Sequence, residues 1–240
     1  HHCNQPDAAR SIADRLSITD HQPTTSTSTS TSTSTSKESG WKQLLVAPAS
    51  TPNPPNNLHD GRIPVAHWPY HDPQGGIIGY VYRLDEPLQP GELKPKKGFR
   101  PLTLWQKDNA LQWKWKGFDK PRPLFNLNQL NTNPQAKVVI CEGEAKAIAA
   151  GNLLKDFIHT CNSGGSNGVQ SADLTPLKGR TVLVWPDADE AGRTWLQAVL
   201  VALKKLNCII SIVDTYGLDE SIGYDAANAQ NDNWSIGDVG

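Results

Sequence analysis

Methionine is absent from all 240 residues, position 1 included. The chain therefore reads as part of a longer protein. Cysteine is scarce and scattered, at Cys3, Cys141, Cys161 and Cys208. No C-x-x-C spacing exists, so no zinc site is legible. Three of the four fall in apolar runs, where cysteine packs as a small apolar residue. This usage fits a reducing cytoplasm. No apolar run approaches membrane-spanning length and no signal peptide is visible, so a cytoplasmic location and no membrane partner are expected. A surplus of either charge is missing as well. The net charge of −1 excludes a wholesale basic affinity for nucleic acid, and any such contact must come from local patches. There is no P-loop.

What is present divides into three parts. Residues 1–57 form a low-complexity tail and linker, expected to be disordered. Asp7 to Leu16 has the spacing of a short helix, but Thr24 to Ser36 is an almost pure Thr-Ser alternation that cannot bury a core. Residues 58–133 read as a small antiparallel β unit. His67 to Tyr70 and Ile77 to Leu84 flank the turn Asp72-Pro73-Gln74-Gly75-Gly76, and Arg100 to Trp105 and Leu111 to Lys116 add extended pieces. Aromatics (Trp68, Tyr70, Tyr80, Tyr82, Trp105, Trp113, Trp115) alternate with cations, among them Arg83, Arg100, Lys114 and Lys116. Cations beside rings suit single-stranded nucleic acid, through phosphate contact and base stacking. A sheet with its rings inward and its lysines outward gives the same pattern, and the sequence leaves both open.

Residues 134–240 carry the chemistry. Lys137 to Cys141 and Thr181 to Trp185 are short β-branched runs, the mark of buried parallel strands. The first ends in Glu142-Gly143-Glu144 and the second in Pro186-Asp187-Ala188-Asp189, each followed by a helical segment. Acidic residues thus gather at the carboxyl ends of two strands, the edge where open α/β sheets bind ligands. Carboxylates gathered there need a positive charge between them. A divalent ion is the usual one, and hard oxygen donors suit Mg2+ or Mn2+. Helix capping and a solvated loop would also account for these acids. After a strand at Phe157 to Cys161, the turn Asn162 to Gly168 offers Gly164 and Gly165 as backbone contacts for a phosphate, or as a plain flexible turn.

A glutamate after one strand and an Asp-x-Asp pair after a later one resemble the Toprim domain of primases, topoisomerases and related nucleases. Pro121 to Leu127 resembles the connection before that glutamate in bacterial-type primases. The hairpin from Tyr70 to Arg83 is similar to the small β subdomain of phage and plasmid primases and primase-helicases. The resemblance implies an α/β fold, a mostly parallel sheet flanked by helices and preceded by the antiparallel β-rich subdomain and the tail. It implies Glu142, Asp187 and Asp189 as catalytic and metal-binding residues. Asp225 joins the metal site, although Tyr224 stands where those primases carry lysine. Lys146 stands where some of them have aspartate, and with Arg193 is expected to meet nucleotide phosphates. The implied activity is nucleotidyl transfer, making short RNA primers on single-stranded DNA from nucleoside triphosphates with Mg2+ or Mn2+. A replicative helicase, fused or separate, is the implied partner. A Toprim nuclease and a catalytically inactive nucleic-acid-binding module are the alternatives.

Overall fold

The computed structural model describes residues 40–55, 61–88, 90–91 and 95–239. The helix expected at Asp7 to Leu16 and the Thr-Ser tract lie outside the described residues.

The first sheet is antiparallel and has five strands: β1 (Lys42–Gln43), β2 (Ala66–His71), β3 (Ile77–Asp85), β4 (Lys97–Lys107) and β5 (Ala110–Lys114). Its order is β1-β4-β3-β2, with β5 also paired to β4. The β2–β3 turn is built on Asp72. Its buried carboxylate accepts hydrogen bonds from the backbone N–H groups of Gln74 (2.9 Å), Gly76 (2.8 Å) and Ala47 (2.8 Å). One aspartate thus closes the hairpin and ties down the segment after β1.

A helix not expected from the sequence follows, α1 (Leu127–Thr132). Then come β6 (Lys137–Cys141), α2 (Glu144–Leu153), β7 (Phe157–Cys161), β8 (Thr181–Trp185), α3 (Glu190–Lys205), β9 (Ile209–Ile212) and α4 (Ala226–Asn231). The second sheet has the order β7-β6-β8-β9, and every pair is parallel. The fold is therefore mixed α/β, an antiparallel sheet followed by a parallel sheet flanked by helices.

Alternation along β6 explains the layering, because successive side chains point to opposite faces. Val138 and Ile140 pack with Val182 and Val184 of β8 against Trp195, Val199 and Leu203 of α3. Those three helix residues recur every four positions, which puts them on one stripe. Leu124 and Leu130 are buried in the same cluster, so the segment after β5 serves the core of the parallel sheet. Val139 and Cys141 face the other way. They pack with Ala147 and Ala150 of α2, and with Trp68, Tyr70 and Phe118 from the antiparallel part. One core is therefore shared by both sheets. At roughly 2 kcal/mol for each fully buried large side chain, separating the sheets is costly.

A candidate active site at the carboxyl edge of the parallel sheet

β6 and β8 are neighbours, with Cys141 opposite Trp185. That register carries the next residues of both strands to one point. Glu142 Oε1 accepts a hydrogen bond from the Asp187 backbone N–H at 3.3 Å. Both acids are buried, Glu142 at 5% and Asp187 at 8% exposure. A third segment closes the site. The Ala188 N–H donates to the Tyr224 carbonyl at 2.9 Å, which brings Asp225 alongside. Gly192 makes the close approach possible, since a Cβ there would collide with the Asp187 carbonyl.

The cation among these acids belongs to the chain itself. Lys146, in the first turn of α2, donates its ammonium to Asp187 Oδ2, and Nζ lies 3.7 Å from Asp225 Oδ2. Burial pulls the Lys146 ammonium down, but the Asp187, Asp225 and Glu142 carboxylates outweigh it and hold it above its ordinary value. Burial pushes the Asp187 carboxyl up to about 7, against the pull of Lys146. Burial raises Glu142 in the same way. Asp187 Oδ1 is buried with no hydrogen-bond partner.

The other two acids are occupied. Asp189 caps α3, its Oδ1 accepting from the Gly192 N–H at 2.7 Å. Asp225 caps α4, its Oδ1 accepting from Ala227 at 2.8 Å and Asn228 at 3.2 Å. Such caps satisfy backbone donors that a helix start would otherwise leave open. Among the described residues no three His, Cys, Asp or Glu side chains converge as a metal site. The donor set as arranged does not fit a divalent ion, because Lys146 lies against Asp187 and two of the acids are drawn off to helix N-termini.

The residues expected to meet phosphates are differently engaged. Lys146 turns inward to the acids. Arg193 forms ion pairs with Glu190 (3.0 Å) and Glu220 (2.9 Å). The Gly164–Gly165 turn is bonded within itself and to the core. Asn162 Nδ2 donates to the Gly165 carbonyl at 2.7 Å, while Asn162 Oδ1 accepts from Trp195 Nε1 at 2.9 Å. Gly164 has φ +100°, and a Cβ there would lie 2.6 Å from Arg122 Nη1. Glycine is therefore required at that position by local geometry alone.

On the antiparallel sheet, Arg83 pairs with Asp85 at 3.0 Å. Lys114 lies over the Trp41 ring at 4.3 Å from its centroid, and Lys116 over Trp105 at 4.3 Å. Arg100 is exposed and donates to the Phe99 carbonyl. Tyr82 is buried, while Tyr80, Trp113 and Trp115 are half-buried. Tyr80, Tyr82, Trp113 and Trp115 form a chain of contacts 5.3–5.7 Å apart, with His67 beside the two tyrosines.

Two functional-looking contacts escape the sequence. Tyr70 of β2 donates its hydroxyl to Glu144 Oε1 of α2 at 2.7 Å, fully buried. Arg180 donates to the carbonyls of Leu130 (2.5 Å), Asn133 (2.7 Å) and Pro176 (2.8 Å). The Tyr70–Glu144 bond and the Arg180 bonds to Leu130 and Asn133 link residues far apart in the chain, and no local pattern announces them.

A family described only as a domain of unknown function (DUF6371) matches residues 93–188, less than half of the chain. That span runs from just before β4 to Ala188 and includes Glu142, Lys146 and Asp187. No curated protein matches the chain. Among solved structures it is similar to the Aquifex aeolicus primase, comprising zinc-binding and RNA polymerase domains, with TM-score 0.43, 18% identity, and coverage of 68% of this chain and 36% of that one. It is also similar to the primase fragment of the bacteriophage T7 primase-helicase, with TM-score 0.42, 16% identity, and coverage of 70% and 58%. A DnaG primase catalytic domain bound to single-stranded DNA gives TM-score 0.41 and 16% identity, with coverage of 69% and 47%. The chain spans less than two thirds of each of these. Among the described residues no helix is long and apolar enough to cross a membrane.

Proposed function

We propose that this chain is the core of a DNA primase-like nucleotidyltransferase of the Toprim type, acting on single-stranded DNA and nucleoside triphosphates. One observation carries the reading. Glu142 and Asp187, from the ends of two adjacent parallel strands, meet at a single buried point, and Asp225 is brought to them by a third segment. Nucleotidyl transfer asks little covalent chemistry of a protein. It needs phosphates positioned and developing charge neutralised.

In this reading Glu142 and Asp187 are the catalytic pair. Burial raises the Glu142 carboxyl above the usual carboxylate range, which makes it a stronger base than an ordinary carboxylate. The attacking hydroxyl of a growing primer is the group whose proton it would take. Asp189 and Asp225 hold the two helix starts that shape the site. Mg2+ or Mn2+ is the charge neutraliser on which phosphoryl transfer usually relies. The present side chains do not form its cage, so no step is assigned to it. Arg100, on the exposed stretch of β4, is the template contact best placed for a phosphate. A replicative helicase, joined to this chain or separate, completes the proposed setting.

One observation favours a second reading, a nucleic-acid-binding module without catalysis: the Lys146 ammonium rests on the acid that a catalytic ion would use. Template-dependent incorporation of labelled nucleotides separates the two. Wild type supplied with single-stranded DNA, nucleoside triphosphates and Mg2+ or Mn2+ should yield products longer than one nucleotide, and Asp187→Ala should not. Binding without product would leave the module, and a shortened template would point to hydrolysis.

A further inference from the structure

The acidic centre already contains a cation. Lys146 sits in the first turn of α2, where a positive side chain opposes the helix dipole. That cost is small, and carboxylate partners can outweigh it. The structure supplies them: Asp187 Oδ2 and Asp225 Oδ2 accept its charge, and Glu142 stands behind Asp187. Lys146 is itself three-quarters covered along its side chain, at 25% exposure. An ammonium held this way is not available to a triphosphate in solution.

What surrounds the lysine points to the ion it displaces. Asp187 Oδ1 is buried without a partner, an arrangement that costs free energy unless a ligand uses it. Asp225 Oδ2 is the oxygen of that residue not spent on the helix cap. Glu142 contributes a buried carboxylate from the adjoining strand. These are hard oxygens from three segments, the chemistry that divalent Mg2+ and Mn2+ prefer. Of the oxygens not spent on helix caps, Asp187 Oδ2 and Asp225 Oδ2 are the ones the lysine occupies.

We propose that Lys146 is the resident cation of this centre, excluding divalent metal, and that the same carboxylates become a Mg2+ or Mn2+ site when its charge is removed. The ammonium and a doubly charged ion repel at contact range, and buried charges are poorly screened. Lysine and metal therefore compete for one place. The proposal concerns binding of the free ion by the chain alone. An ion carried in on triphosphate oxygens would not depend on these carboxylates, so the proposal stands beside either reading of the function.

The test is titration of the full chain with Mn2+, following free ion by electron paramagnetic resonance and heat by calorimetry. Wild type should show no saturable site up to millimolar ion. Lys146→Met, which keeps the length of the side chain without its charge, should gain one site at least about tenfold tighter, a difference of roughly 1.4 kcal/mol. Lys146→Arg should stay closed, and adding Asp187→Asn to Lys146→Met should abolish the new site. Mn2+ should raise the melting temperature of Lys146→Met alone. A tight saturable site in wild type overturns the proposal, whatever the variants do. So does a folded Lys146→Met that binds no better than wild type. Failure of the incorporation assay would leave these results untouched.

Discussion

The Tyr70–Glu144 hydrogen bond joins the antiparallel sheet to the helix that carries Lys146, and its worth can be worked out. Tyr70 is fully buried, with its ring 5.2 Å from Phe118 and 5.6 Å from Phe125. Its hydroxyl donates to Glu144 Oε1 at 2.7 Å. Tyr70→Phe keeps the ring and removes the donor, leaving a buried carboxyl without that partner. Hydrogen bonds to charged groups contribute about 1.5–3 kcal/mol, and orphaning a buried acceptor costs about as much. A loss of about 2 kcal/mol at pH 8 is expected, or about 4–8 °C in melting temperature for a domain of this size. The pH dependence has a definite sign. Burial raises the Glu144 carboxyl above its usual range, while the Tyr70 hydrogen bond works the other way. A carboxyl raised in the folded state holds its proton longer than in the unfolded chain. It therefore lowers stability as pH climbs from the ordinary carboxyl range through the raised folded value. Removing Tyr70 widens that window. The Tyr70→Phe penalty should be smaller at pH 5 than at pH 8. Urea denaturation at both pH values, with Glu144→Gln and the double variant, completes the cycle. A Tyr70→Phe loss below about 0.5 kcal/mol at pH 8, or an equal loss at both pH values, would refute the reasoning.

Arg180→Lys should cost about 2 kcal/mol in urea denaturation, because one ammonium cannot reproduce a guanidinium fork that serves carbonyls at Leu130, Asn133 and Pro176. Gly192→Ala should lower the melting temperature even though alanine is the better helix former by about 1 kcal/mol. The added Cβ meets the Asp187 carbonyl, and a variant that melts higher would show that this contact yields freely. Arg100→Ala should weaken single-stranded DNA binding and lower its salt slope by about one unit, measured by fluorescence titration across salt concentrations. An unchanged slope would remove Arg100 from the interface.

The parallel strands were legible because a strand covered on both faces must be apolar along its whole length. Lys137–Cys141 and Thr181–Trp185 fall where the β-branched runs place them. The α3 helix was legible as the helical segment that opens at Glu190 after the Asp187-Ala188-Asp189 turn. The α1 helix was not, since L-N-Q-L-N-T is poor in helix formers. Asn126 before it has φ +57° and gives no side-chain cap. That helix exists through tertiary contact, with Leu130 buried and Arg180 holding its last carbonyls. The rings of the β unit were visible, but their partners depend on cross-strand register. Tyr82 lies opposite both His67 and Arg100, a fact available only once three strands are paired.

The site shows the same division between residue type and direction. Types that gather charge at a strand edge were readable, but where each side chain points was decided by competing demands. Asp187 and Asp189 are two apart, which in a regular strand would put them on one side, but β8 ends at Trp185 and the chain bends before α3. Asp189 is instead the N-cap of α3, so its carboxylate turns to the Gly192 N–H. Asp225 divides its oxygens between the α4 cap and Lys146. Lys146 had two possible directions from the first turn of α2, outward to a ligand or inward to the acids. Inward wins because the buried Asp187 carboxylate needs a counter-charge, and an exposed lysine would leave it without one. The helix start supplies part of the positive potential and the lysine supplies the rest. The sequence shows four acids, whereas the fold uses two of them to start helices and pairs a third with its own lysine. Glu142 remains as the acid whose contact in this site is a single long hydrogen bond, from the Asp187 N–H.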